Sequence, residues 1–81
     1  MKQSLNEETK ARAWDLLVEH LQDRRDVQNI QLMDLAGFCR NCMSKWLVKA
    51  AEERDAPLDI DTAKESVYGM SYATWKDLYQ K

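Results

Sequence analysis

An all-α fold, a compact multihelical domain of two long helices followed by two short ones, is predicted from three features of this sequence. Apolar residues recur at spacings of three and four along two long stretches. Residues that favour helix starts stand ahead of each apolar stretch. Only two glycines and one proline occur in 81 residues, too few for the closely spaced turns of an all-β chain.

The first helix opens at Ser4-Leu5-Asn6-Glu7, which has the Ser-x-x-Glu spacing of a capping box. Trp14, Leu17, Val18 and Leu21 form its apolar stripe, and Glu8, Lys10, Arg12, Asp15 and Glu19 fill the other side. The stripe fades at Gln22-Asp23-Arg24-Arg25, which reads as a solvated connector. The second helix is expected to start at Asp26 or Asn29 as N-cap and to run to about Arg54. Its seam is Leu32, Leu35/Ala36, Cys39, Cys42/Met43, Trp46 and Ala50. Gly37 falls inside it, where glycine costs about 1 kcal/mol against alanine, so a close approach of another backbone is expected there. Ala56-Pro57-Leu58-Asp59 ends the pattern, since proline cannot continue a helix. Asp59 or Asp61 caps a third helix through Ala63, Val67 and Tyr68. Gly69 is placed as its stop, with Met70 as the accompanying apolar contact. Ser71 caps a last helix carrying Tyr72, Trp75, Leu78 and Tyr79. With no repeat or low-complexity tract, residues 1–81 read as a single helical domain.

Charge narrows the partners. Twelve basic residues stand against 14 acidic ones, for a net charge of −2. The densest cationic spot is Arg24-Arg25, so no nucleic-acid partner is expected, because phosphate backbones need clustered Lys and Arg. The polar start, Met1 to Glu8, lacks the apolar core of a signal peptide. No apolar run approaches the roughly 20 residues of a membrane helix. A cytoplasmic location follows as the expectation, with thiols kept reduced. A chain this short buries only about 60% of its unfolded surface, so a homodimer or another protein partner is expected to add core.

Cys39-Arg40-Asn41-Cys42 is the one chemically suggestive motif. Within a continuous helix its thiols share a face, with Cβ atoms about 5–6 Å apart. Three readings compete. The leading one is that both are ordinary core thiols on the seam, since free cysteine is among the most buried residue types. The second is a metal site for zinc or iron using Cys39, Cys42 and His20; a structural zinc needs four ligands, so a carboxylate, water or second protomer would complete it. The third is a dithiol redox centre. Mid-helix spacing opposes that, because a disulfide needs Cβ atoms about 3.8 Å apart. Only a helix break at Gly37, placing Cys39 in a first turn, would favour it. Haem attachment is excluded, because Met43 stands where CxxCH needs histidine. A phosphate loop is excluded by the two isolated glycines. A Cys–His nucleophile pair, oriented by Asn41 or Asp34, needs an exposed thiol, and the seam points both thiols inward. Trp14, Trp46 and Trp75 are assigned to the core; Tyr68, Tyr72 and Tyr79 to its edge or an oligomer surface.

One stretch resembles a known family. Asp26-Val27-Gln28-Asn29-Ile30, Leu32-Met33 and Leu35-Ala36-Gly37-Phe38-Cys39-Arg40-Asn41-Cys42, with Ser44 and Trp46, are similar to the signature of the domain-of-unknown-function 1244 family. Glu19-His20-Leu21, Arg24, Val67-Tyr68-Gly69-Met70, Tyr72, Trp75 and Lys76 extend the likeness over roughly residues 14 to 80. The resemblance implies a small multihelical bacterial protein and carries no catalytic role. It groups His20, Arg24, Asp26, Asn29, Arg40 and Asn41 with Cys39 and Cys42 as the place to seek a site. Ser71 departs from the family's usual proline and Asp34 from a common asparagine. The chain also stops at Lys81, ahead of a polar tail that relatives carry. The expectation is a non-enzymatic interaction module, with the metal and dithiol alternatives behind it.

Overall fold

The computed structural model describes residues 5–81, and its described residues form five helices with no strand. α1 (Glu7–Asp23) is capped by Asn6, whose side chain accepts from the Thr9 N–H at 2.8 Å. Ser4 of the expected capping box lies outside the described residues. α1 is long, as expected. The second long helix is not one helix.

α2 (Asn29–Ala36) starts one residue after Gln28, which serves as N-cap in place of Asp26 or Asn29. The Gln28 N–H donates to Gln31 Oε1 at 2.8 Å, satisfying one of the unpaired amides of a helix start. α2 ends at Gly37, whose φ of +76° is left-handed. No other atom comes within 4 Å of where a Gly37 Cβ would sit. Glycine is there for its backbone angle, not for a close neighbour. The chain then extends through Cys39 (φ −142°, ψ −177°) and restarts as α3 (Arg40–Glu53).

α4 (Ile60–Tyr68) and α5 (Tyr72–Tyr79) follow the expected punctuation. Asp59 accepts from Thr62 N at 2.9 Å, Gly69 closes α4 with a φ of +76°, and Ser71 Oγ accepts from Thr74 N at 3.2 Å. α4 is the hub, packing on α3, α1 and α5. The core joins Val18 and Leu21 of α1 to Met43 of α3 and Val67 of α4, with Trp14, Leu32, Phe38 and Leu47 around them. Full burial of Met43 and Val67 stabilises by about 2 kcal/mol each.

Three expectations are corrected by this packing. The restart at Arg40 shifts the helical phase, so the seam does not continue: Leu35 is 89% exposed and Trp46 51%. Trp46 lies on Phe38, ring centres 5.7 Å apart, at the surface instead of in the core. Leu78 is likewise exposed on α5. The connector at residues 22–25 is not simply solvated. Gln22 Nε2 donates to the carbonyls of Ser66 (3.3 Å) and Val67 (3.2 Å), and Arg25 Nη2 to that of Tyr68 (3.5 Å). These side chains satisfy the last carbonyls of α4 and set a cation at its negative end.

Candidate functional site

The stop at Gly37 decides the geometry of the cysteines. Cys39 becomes the N-cap of α3 and Cys42 lies in its first turn. Their sulfurs stand 3.9 Å apart, both as free thiols, with Cys39 buried and Cys42 half-buried. Because Cys39 has extended backbone, the strain that opposes a disulfide within a continuous helix does not apply. Closing a bond of about 2.05 Å needs an approach of roughly 2 Å. Cys39 gives α3 no cap from its own side chain, the only side-chain acceptor there among the described residues being Asn29 Oδ1 at 3.4 Å from the Arg40 N, and no acidic residue lies in the first turn. That leaves its positive end facing the thiols.

Arg40 fixes this turn. It is 1% exposed, yet no carboxylate bonds to it. Its Nη1 donates to Val27 O (2.8 Å) and Asn29 Oδ1 (3.0 Å), its Nη2 to Arg24 O (3.0 Å), and its backbone N–H to Asn29 Oδ1 (3.4 Å). The guanidinium lies over Trp75, 5.1 Å from the ring centre. A buried cation must be hydrogen-bonded, and here neutral oxygens of the α1–α2 connector and of Asn29 at the start of α2 do it. Burial still pushes the Arg40 pKa down from its ordinary value.

Tyr68 carries the network onward. Its hydroxyl accepts from Asn29 Nδ2 at 3.1 Å and donates to Asn41 Oδ1 at 2.7 Å. Its ring stacks on Trp75 at 5.0 Å and meets Tyr72 at 5.3 Å. Burial pushes the Tyr68 pKa up to about 12, so the hydroxyl is neutral at any physiological pH.

Beside this network lies a cavity of about 340 Å³. Cys39, Asn29 and Asn41 line it together with Tyr72, Trp75 and Lys81, and Ile30 and Met33 of α2 supply an apolar wall. Gln28 holds the chain beyond α5 against it, donating from Nε2 to Tyr79 O (2.8 Å) and accepting from the Lys81 N–H (3.0 Å). Cys42 is not among its lining residues.

The structure therefore brings together part of the expected cluster. Asn29, Arg40 and Asn41 meet as side chains, and Arg24 contributes its carbonyl. The Arg24 guanidinium turns outward to Asp26 at 3.0 Å, and that hydrogen bond lowers the Asp26 pKa. His20 is exposed on the last turn of α1. Among the described residues, no three His, Cys, Asp or Glu side chains are placed to hold one metal ion, so His20 does not complete a set with the thiols. Tyr68 is the member that sequence reasoning missed: on the sequence it is one more aromatic at the edge of a short helix.

A family model described as a protein of unknown function, DUF1244, matches residues 27–81. The chain belongs to the domain-of-unknown-function 1244 family. The part matched to this family holds the thiols, Asn29, Arg40, Asn41, Tyr68 and Trp75, whereas His20, Arg24 and Asp26 precede it. No curated protein matches the chain.

Proposed function

We propose that Cys39 and Cys42 form a dithiol centre that cycles with an intramolecular disulfide. The observation that carries this reading is the 3.9 Å between their sulfurs at the first turn of α3. In the exchange, one cysteine thiolate attacks a disulfide R–S–S–R, forming a mixed disulfide and releasing the first thiol R–SH. The other cysteine then attacks the protein sulfur of that mixed disulfide and releases the second. Both cysteine protons end on the two released thiols. The two electrons that reduce the acceptor come from the two cysteine sulfurs. Arg40 and Asn41, locked between the cysteines, keep the turn in place while the sulfurs approach.

Equilibration of the folded protein in graded mixtures of reduced and oxidised dithiothreitol tests this. The expected result is a reversible loss of about 2 Da per chain under oxidising mixtures, mapped to Cys39–Cys42 by proteolysis and mass spectrometry. Retention of both thiols in the most oxidising mixture, or bridges formed only between chains, refutes the reading.

A second reading, a homodimer interface on α2, rests on a different observation. α2 buries none of its residues, and Ile30 and Leu35 are 67% and 89% exposed. A helix this apolar and this uncovered, in a chain with so small a core, is the surface a second copy would cover. Sedimentation equilibrium would show a dimer that Leu35→Glu dissociates. A strict monomer at high concentration would overturn it.

A further inference from the structure

Resting on the dithiol reading, we infer that the oxidant or reductant of this centre is a low-molecular-weight anionic disulfide or thiol held in the cavity at Cys39, not a disulfide on a protein surface. The cavity is about 340 Å³, inside the usual range of roughly 300–1,000 Å³ for small-molecule sites. Cys39 lines it and Cys42 does not, so a bound molecule meets Cys39, with Cys42 3.9 Å away as the resolving thiol. For a guest that meets Cys39 first, the 7% exposure of that thiol favours a small molecule in the cavity; a folded protein's disulfide would meet the half-buried Cys42 instead.

The lining sets the charge of the guest. It contains no acidic side chain and one cation, Lys81. Asn41 spends its Oδ1 on the Tyr68 hydroxyl, and its half-buried side chain lines the cavity with Nδ2 as the remaining, solvent-reached donor. It is a donor ready for a carboxylate or amide oxygen. Cys39 and Asn41, which line the cavity, stand at the N-terminal end of α3, and anions are stabilised at such ends. Tyr72, Ile30 and Met33 then cover the molecule's apolar stem. A peptide-like thiol bearing carboxylates satisfies these features together.

The exchange itself is the one already balanced above: the guest's disulfide is cleaved at Cys39, its first half leaves as a thiol, and attack by Cys42 on Cys39 Sγ frees the second. The test follows a Cys42→Ser variant, which halts at the mixed disulfide. Its reaction with glutathione disulfide (anionic), cystamine (cationic) and insulin (a protein disulfide) is timed by mass spectrometry. Each rate is divided by that of the same variant unfolded in urea, which removes the intrinsic reactivity of each reagent. The normalised glutathione rate is expected to exceed the other two by about tenfold, the low end of electrostatic steering into a charged cleft. Asn41→Asp keeps the oxygen that Tyr68 bonds and adds a negative charge, so it should reverse the order of glutathione and cystamine. Lys81→Glu, at an exposed position away from the core, should do so more weakly and serves if the first variant does not fold. Equal normalised rates, a preference for cystamine or insulin, or an order unmoved by both variants overturns the inference and leaves the dithiol centre standing. If the unmutated protein forms no Cys39–Cys42 disulfide with any reagent, the dithiol reading fails and this inference falls with it.

Discussion

Gly37→Ala separates two descriptions of the chain by the sign of its effect. Were Gly37 inside one long helix, alanine would stabilise the fold by about 1 kcal/mol. At a φ of +76° the added Cβ instead forces an L-residue into the left-handed region, which costs about 1–2 kcal/mol. The space around the position is open, so no steric collision adds to that figure. Gly69→Ala provides an internal comparison. It has the same φ, but its Cβ would lie 3.0 Å from Gln22 Cδ and 3.2 Å from Arg25 Nη2, both engaged on the end of α4. Its loss should exceed that of Gly37→Ala by about 1 kcal/mol, the worth of one such hydrogen bond displaced. Urea unfolding followed by tryptophan fluorescence measures both, with the extrapolated stability compared at unchanged slope. Asn at position 37 tolerates the angle better and should lose less than alanine. A gain in stability for Gly37→Ala refutes the break between α2 and α3, and with it the placement of Cys39 at a helix start.

Arg40→Met should cost about 2–4 kcal/mol, since it strips hydrogen bonds from Val27 O, Arg24 O and Asn29 Oδ1 while relieving the burial of a charge. Calorimetry would register a fall in Tm of roughly 10–25 °C for a domain of this size; a fall within a few degrees would show that the anchor is dispensable. Tyr68 sets an alkaline limit. Its folded pKa of about 12 exceeds the usual value near 10, so the folded state holds the proton longer than the unfolded state does. The stabilisation is complete below about pH 10 and drains away toward pH 12, by about 2–3 kcal/mol at roughly 1.4 kcal/mol per pH unit. Tyr68→Phe should flatten that decline while lowering neutral-pH stability by about 1 kcal/mol. An alkaline stability profile identical in the two proteins would show that another group governs the decline.

The ends of α4 and α5 were legible because their determinants are local: Asp59, Gly69 and Ser71 act on residues within one turn of themselves. Gly37 was misread for a physical reason. Leu32, Leu35, Cys39, Met43 and Trp46 keep spacings of three and four straight through the stop, and periodicity carries no information about one residue's φ. Arg40 was placed on the site by family resemblance, but its burial could not be read from the chain. Its acceptors lie 11 to 16 residues upstream. The hydroxyl that ties Asn41 to Asn29 comes from 27 residues downstream of Asn41. Such contacts are set by how α4 docks on α3, which no local pattern encodes. Cys39 and Cys42 were visible as a pair throughout; whether that pair sits at a helix start turned on one glycine.

Gln28 gives the far end of the chain an unexpected neighbourhood. By gripping Tyr79 O and the Lys81 N–H, it holds Gln80 and Lys81 in the lining of the cavity at Cys39. Any polypeptide continuing beyond Lys81 therefore sets out from the doorway of the thiol. An affinity tag attached there, particularly a run of histidines with its own appetite for metal and for thiol oxidation, would sit within reach of the group being assayed. The opposite end, ahead of α1, is where such a handle belongs.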